Sequence, residues 1–384
     1  MFLGRWFGID VKIHWTFWLL LGYIAYAAYS AGQPLAGVLA SVGLVVSVFV
    51  CVVLHEYGHA LTARAFGIGT ADITLLPIGG VARLQRMPEK PWQEFLVAIA
   101  GPAVNVVIAG MLGALILIAD VPARPLLAEP IVNVSFLAQL LAINVVLVVF
   151  NMLPVFPMDG GRVFRAVLAT TMSYVGATRI AVRVGQALAI ALGLAGLFVL
   201  HSPMLAIVAV FVFFGAAAEG RAVETRARLR GAPVSAAMTT ALYPVEADQP
   251  LQEVAQWMMA SRQDDFPVVE NGRLIGLISR RDLEDAWQQH GPQATARHAM
   301  RSDMRPVSFD DDLAAVDARL QEGDQSAAPV VSGDRLVGVI SLAGISDFLE
   351  FGPWRRRVHR YASSANGFAG ASPRGGEIID AEPI

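Results

Sequence analysis

The chain has 384 residues, 55 % of them hydrophobic and only 16 % charged, with a formal net charge of −3. A mean hydropathy of +0.53 is too high for an ordinary soluble protein, so part of the chain belongs in a lipid bilayer, and the length leaves room for two or three domains. No basic patch interleaved with aromatics argues for nucleic acid as a partner, and a single cysteine, Cys51, excludes an intramolecular disulfide.

The N-terminal run MFLGRWFGIDVKIHW leads directly into an apolar segment and lacks the short apolar core and cleavage site of a removable signal peptide. Six apolar stretches follow, at 13–33, 36–66, 93–119, 132–152, 179–200 and 204–220. Each is close to the ~20 residues that cross a hydrocarbon core. Residues 68–86, IGTADITLLPIGGVARLQR, interrupt the series with β-branched residues, a proline and Gly79-Gly80, and read as short strands or a hairpin between spans two and three. A non-helical backbone at that depth requires protein or water around it. With the N-terminus inside, the cytoplasmic segments carry Arg5, Lys12, Arg64, Arg83, Arg162, Arg179 and Arg226 among others, and the opposite side carries Arg124 alone. The positive-inside rule then makes both ends of the six-span unit cytoplasmic.

Within span two, VVLHEYGHAL sets three ionisable groups in an apolar run, where groups of this kind mark function. His55 and His59 stand at i and i+4, on one helix face, close enough to share a metal ion. Zinc suits nitrogen ligands, needs a third protein ligand and keeps one position for water, whose pKa it lowers from ~15.7 towards ~7. Glu56, next to His55, is then the residue to take a proton from that water and deliver it to a leaving amine. Cys51, four residues before His55, is either a further ligand or a small buried apolar residue, and the second reading is favoured. His14, beside Trp15 and Trp18, reads as an interfacial anchor. For the third ligand, Glu94, Asp120, Glu129, His14 and His201 lie at span ends or outside. Asp159 stands in NMLPVFPMDGGR, where prolines unwind the end of span four just where an acid can turn inward, or can simply cap the next helix.

HEYGH, GPAVN at Gly101–Asn105 and NMLPVFPMDGG, in that order, resemble the site-2 protease family of intramembrane zinc metalloproteases over about residues 10–220. The resemblance implies one catalytic Zn2+ with Asp159 as the third ligand; Met158 between Pro157 and Asp159 fits the family pattern. It also implies a role for Asn105 near the scissile segment, where its amide can donate to a substrate carbonyl or an oxyanion, and Asn151 is a second candidate for that role. Substrates are expected to be single-span membrane proteins, such as membrane-anchored transcriptional regulators, cleaved in or near the transmembrane segment. The expected place is a bacterial or archaeal inner membrane. An edge strand within 68–86 can receive an unwound substrate by strand addition, with Gly79 and Gly80 allowing close approach.

Beyond residue 232 the character changes and an internal repeat appears. AAMTTALYPVEADQPLQEV aligns with HAMRSDMRPVSFDDDLAAV, and FPVVENGRLIGLIS with APVVSGDRLVGVIS, at a constant offset of 62, as from Met238 to Met300 and from Ser279 to Ser341. Each copy reads as an extended entry, a helix, two short strands and a second helix. The repeat resembles a tandem pair of CBS domains, which implies adenine nucleotide (ATP, ADP or AMP) in a cleft between copies. Ser279-Arg280-Arg281-Asp282 matches the family's Ser/Thr-x-x-Asp signature, so Ser279 and Asp282 are the expected nucleotide contacts; the second copy has Gly344 where the acid would be, so one site at most is expected. The alternative is a scaffold or dimerisation module without ligand; a homodimer through the CBS pair is expected as a partner beside the nucleotide.

The fold class expected is thus a polytopic α-helical membrane domain, six transmembrane helices with a short β insertion, followed by a soluble α/β CBS pair. The boundaries expected are 1–222 for the protease, 223–232 for a linker, 233–290 and 291–351 for the two CBS copies and 352–384 for a Gly/Ser/Pro-rich flexible tail. The rival function is a CBS-regulated divalent-cation transporter or channel, since ion pathways also use intramembrane acids and histidines. A His/His/Asp set with room for water suits hydrolysis better than transport of hard cations, which favour oxygen ligands.

Overall fold

The computed structural model describes residues 1–77, 79–85, 87–119, 135–240, 243–261, 263, 265–271, 273–323, 325–333 and 335–351. Arg124, Asp120, Glu129 and the tail from residue 352 lie outside them. The chain divides into two units, Met1–Glu224 and Thr225–Ile384.

The first unit opens with two strands, β1 (Phe2–Trp6) and β2 (Ile9–Ile13). From sequence, residues 1–12 carry no assigned element and the first apolar stretch begins at 13. Hydropathy hides the signal, but IDVKI alternates strictly, and Ile9, Val11 and Ile13 are buried while Asp10 and Lys12 are half-buried. Phe7 and Gly8, both at positive φ, turn the chain between the strands. Helices α1 (Thr16–Ser30) and α2 (Leu35–Ala65) follow, then β3 (Thr70–Leu76) and β4 (Gly79–Leu84). The four strands form one sheet in the order β1-β2-β3-β4, with β2 parallel to β3 and β4 an edge strand. Buried Asp72 accepts from Lys12 at 2.7 Å and from Arg83, tying β2, β3 and β4 together across their polar face.

The remaining helices are α3 (Pro91–Ile118), α4 (Phe136–Asn151), α5 (Asp159–Leu168), α6 (Tyr174–Phe198) and α7 (Pro203–Leu229). Among the described residues, α2, α3, α6 and α7 are long and apolar enough to cross a membrane, and α4 is a shorter apolar helix. The first stretch yields only 15 helical residues, Thr16–Ser30: β2 holds its first residue, Ile13, and the helix ends at Ser30 before Gly32 at positive φ. α5 has 10 residues and a polar start, too short to cross a membrane. α7 runs through 223–229, read from sequence as linker: VETRARL contains no helix breaker, and glycine arrives only at Gly231.

Contact of α2 with α3 dominates the packing, and glycine permits it. A Cβ at Gly58 would lie 2.6 Å from the Ala100 carbonyl oxygen, so the two backbones touch there.

The second unit carries β5 (Val245–Glu246), α8 (Leu251–Ala260), β6 (Asp265–Glu270), β7 (Arg273–Ser279), α9 (Arg280–His290) and α10 (Ala296–Ala299). It continues with β8 (Val307–Ser308), α11 (Leu313–Glu322), β9 (Ala327–Ser332) and β10 (Arg335–Ser341), and residues 342–351 are helical. Register repeats with the sequence: Pro267 faces Leu277 as Pro329 faces Val339, both members shifted by 62. The copies exchange their opening segments. Thr239 bridges Val339 of the second copy and Arg301 bridges Leu277 of the first. Val234 accordingly sits in the second copy's core, while Ala296 and Ala299 sit in the first's. Neither copy closes its core alone.

Candidate metal centre

Helix α2 carries His55 and His59 on one face, a turn apart, with Glu56 next to the first, and the first residue of α5 brings Asp159. His55 Nε2 and His59 Nε2 lie 3.1 Å apart, and Asp159 Oδ2 stands 3.2 Å from the first and 3.1 Å from the second. All three side chains are buried, and theirs is the one His/Cys/Asp/Glu cluster of metal-holding geometry among the described residues. The donor set fits zinc: three vertices of a tetrahedron with bonds of 2.0–2.1 Å lie about 3.3 Å apart, close to the triangle observed. Nothing from α3 fills the space beside it. A Cβ at Gly101 would press on His59 Nε2 and lie 2.6 Å from His55 Nε2.

Each imidazole is aimed by a bond from its other nitrogen, as metal-binding histidines generally are. His59 Nδ1 donates to the Val97 carbonyl at 2.7 Å, and His55 Nδ1 donates to Asn105 Oδ1 at 2.5 Å. Asn105 Nδ2 donates in turn to Asn144 Oδ1 at 2.9 Å, and both asparagines are fully buried. The oxyanion role expected of Asn105 is therefore not what its geometry supplies: its oxygen faces a metal ligand and its nitrogen faces α4. Asn151, at the end of α4, is half-buried. Asn144, two turns earlier on the same helix, went unremarked in the sequence, although a lone amide in AINVVLVVF is as conspicuous as Asn151.

Glu56 Oε2 accepts from the Ala82 amide of β4 at 3.0 Å, so the edge strand reaches the residue beside the first histidine. α5 is fixed by a buried ion cluster. Arg165, with no exposure, pairs with Glu94 of α3 at 2.5 Å and with Glu219 of α7 at 2.7 Å, its guanidinium set between the Phe156 and Tyr174 rings at 4.9 and 4.8 Å. Glu94, one of the alternative ligands, is committed there. His14 is exposed and bonded to Thr16 Oγ1 at 2.7 Å, His201 is exposed, and Cys51 is buried 3.5 Å from Asn144 Nδ2, so none of the three joins the cluster.

In the second unit, Ser279 and Asp282 form a capping box at the start of α9: Asp282 Oδ2 accepts from the Ser279 amide at 3.1 Å and from its hydroxyl at 2.5 Å. Asp282 Oδ1 accepts from Arg301 Nε at 2.6 Å. These residues line an open cavity of about 920 Å³ to which Ser341 and Leu342 of the second copy also contribute.

The family model of peptidase family M50 matches residues 43–122 and 126–192, and that of the CBS domain matches 234–288 and 296–350. A zinc metalloprotease of Methanocaldococcus jannaschii is 33 % identical over 338 residues, which cover 88 % of this chain and 92 % of that protein. Rip3 of Mycobacterium tuberculosis, also named as a zinc metalloprotease, is 28 % identical over 373 residues, covering 91 % of this chain and 92 % of the other. The solved structure of the site-2 protease from Methanocaldococcus jannaschii is 34 % identical, covering 57 % of this chain and 94 % of that one, with a TM-score of 0.42.

Proposed function

The chain belongs to peptidase family M50, the site-2 proteases, with a tandem CBS pair at its C-terminal side, and from that premise we propose an assignment of roles to its residues. It is a zinc metalloprotease, which removes the cation transporter as a rival. His55, His59 and Asp159 hold one Zn2+, and the observation carrying this is the buried triangle of three ligand atoms, all within 4.8 Å of one another. When bound, zinc supplies Lewis acidity, polarising the scissile carbonyl and acidifying water.

Glu56 accepts the proton of the attacking water on its carboxylate as the water oxygen bonds to the carbonyl carbon. It returns that proton to the amide nitrogen as the C–N bond breaks. Asp159 balances the positive charge of the site, and Asn105 keeps the His55 ring in line. The substrate we infer is a single-span membrane protein cut in or near its transmembrane segment. The burial of the site among apolar helices supports this, as does the edge strand β4, whose Ala82 amide points at Glu56 and whose free side offers pairing to an unwound segment. We read the membrane unit as six spans, counting the short helices α1 and α4, in a bacterial or archaeal inner membrane with both termini cytoplasmic; the cationic residues of the sequence support that orientation.

Adenine nucleotide is the regulator we propose for the cavity beside Ser279 and Asp282. A ribose there would compete with Arg301 for Asp282, which gives binding a structural consequence. Homodimerisation through the CBS pair is part of the same reading. The test of the catalytic assignment is Glu56→Gln. It keeps zinc at one equivalent and reduces cleavage of a co-expressed single-span substrate by at least ~100-fold, as loss of general acid–base catalysis does; undiminished cleavage removes Glu56 from the mechanism.

A further inference from the structure

We infer that Asn144 is a positioning residue for the metal centre, acting through Asn105 to fix which nitrogen of His55 is free to bind zinc. The inference rests on the zinc reading given above and extends it to a residue two bonds removed from the metal ligands.

The argument is one of direction. A carboxamide can be turned by 180° at little steric cost, so its oxygen and nitrogen are placed by their partners. The Leu140 carbonyl can only accept, and Asn144 Nδ2 donates to it at 2.9 Å. That bond turns Asn144 Oδ1 towards α3, where it accepts from Asn105 Nδ2. The Asn105 oxygen is thereby left facing His55, so Nδ1 of that ring must carry the proton, and the Nε2 lone pair is left to the metal. Reversing any one amide sets oxygen against oxygen at one end and nitrogen against N–H at the other. His59 needs no relay, since its Nδ1 reaches the Val97 backbone carbonyl directly. Both metal-binding rings are thus referred to a backbone carbonyl, one at first hand and one through two asparagines. The relay spans α2, α3 and α4, and both asparagines are fully buried, where a lost hydrogen-bond partner is costly. The remaining N–H of Asn144 meets the Cys51 sulfur at 3.5 Å, a weak acceptor that satisfies the group without competing for its orientation.

The test compares zinc affinity, by chelator competition on the purified full-length protein, in two backgrounds. Asn144→Ala frees the Asn105 amide to turn, and zinc binding weakens about tenfold, the low end for loss of an outer hydrogen-bond partner. In Asn105→Asp the group facing His55 has oxygen at both ends and cannot be misoriented, and its outer oxygen meets Asn144 Oδ1 acceptor to acceptor, so adding Asn144→Ala there brings no loss of affinity. A loss of similar size in both backgrounds would show that Asn144 serves packing alone, and no loss in either would show that it serves neither purpose; both overturn the inference. Asn144→Ser, smaller and still polar, repeats the comparison if the alanine variant does not fold. A parent protein that binds no zinc would instead fail the zinc assignment itself, and is distinguished by that.

Discussion

Gly101→Ala is the substitution whose consequence follows most directly from the geometry. One added methyl on α3 stands 2.6 Å from His55 Nε2 and presses still harder on His59 Nε2. Ordinary van der Waals contact begins at 3.4 Å, so the His55 nitrogen must retreat by 3.4 − 2.6 = 0.8 Å, or α3 must move away. Neither is cheap: α3 is held against α2 by the contact at Gly58, and a zinc ligand tolerates only about 0.2 Å. A misplacement near 1 Å at a reacting centre costs on the order of 100-fold. Zinc affinity by chelator competition and cleavage of a single-span substrate are both expected to fall by about that factor or more. Gly113→Ala supplies the control, since a Cβ there meets nothing within 4 Å on the same helix. Helix propensity favours alanine at both sites by roughly 0.5–1 kcal/mol, so a loss confined to Gly101→Ala cannot come from the backbone. Unchanged zinc affinity in Gly101→Ala would refute the reasoning, because the histidines would then not be where the metal needs them.

Other expectations follow from the remaining polar groups. Arg165→Met strands Glu94 in the interior and is expected to cost about 3–5 kcal/mol in detergent-solubilised thermal unfolding, whereas Glu94→Leu with Arg165→Met costs less; equal losses would mean the pair is not coupled. The Arg83 guanidinium and the Lys12 ammonium hold the Asp72 carboxyl well below its ordinary value of 3.8, so their contribution is complete above that pH and fades as pH falls below it. Asp72→Asn should therefore lower stability at pH 7 and flatten its decline under acid, and an unaltered acid limb in pH-dependent unfolding would contradict this. ATP, ADP or AMP titrated into the full-length protein should release heat that Asp282→Ala reduces; heat unaffected by that substitution would move the nucleotide away from Ser279 and Asp282.

What could be read from the sequence was what is local. His55, Glu56 and His59 are visible because a helix turns i and i+4 to one face, and Asp159 because prolines and glycines surround the acid at the end of an apolar run. The 62-residue repeat carries its own register, so the two paired strands of each copy could be anticipated, whereas the short third strand of each sheet showed only as an extended entry. Pairing across distance was hidden. Nothing near Asn105 says that its amide will be turned by Asn144, or that Glu94 will meet Arg165 rather than a metal. Nor does either CBS copy disclose that its first residues, Val234 in one and Ala296 in the other, complete its neighbour's core. The β1–β2 pair is a different case: the alternation in IDVKI was present, but the apolar residues around it outweighed a five-residue signal.

Zinc K-edge X-ray absorption on the purified, full-length protein probes the proposed centre most directly. The account predicts one zinc per chain with two imidazole nitrogens and a carboxylate oxygen at about 2.0–2.2 Å, the imidazole scattering halved in His55→Ala and the carboxylate lost in Asp159→Ala. A sulfur shell near about 2.3 Å from Cys51, or an Asp159→Ala spectrum identical to that of the parent, would contradict it.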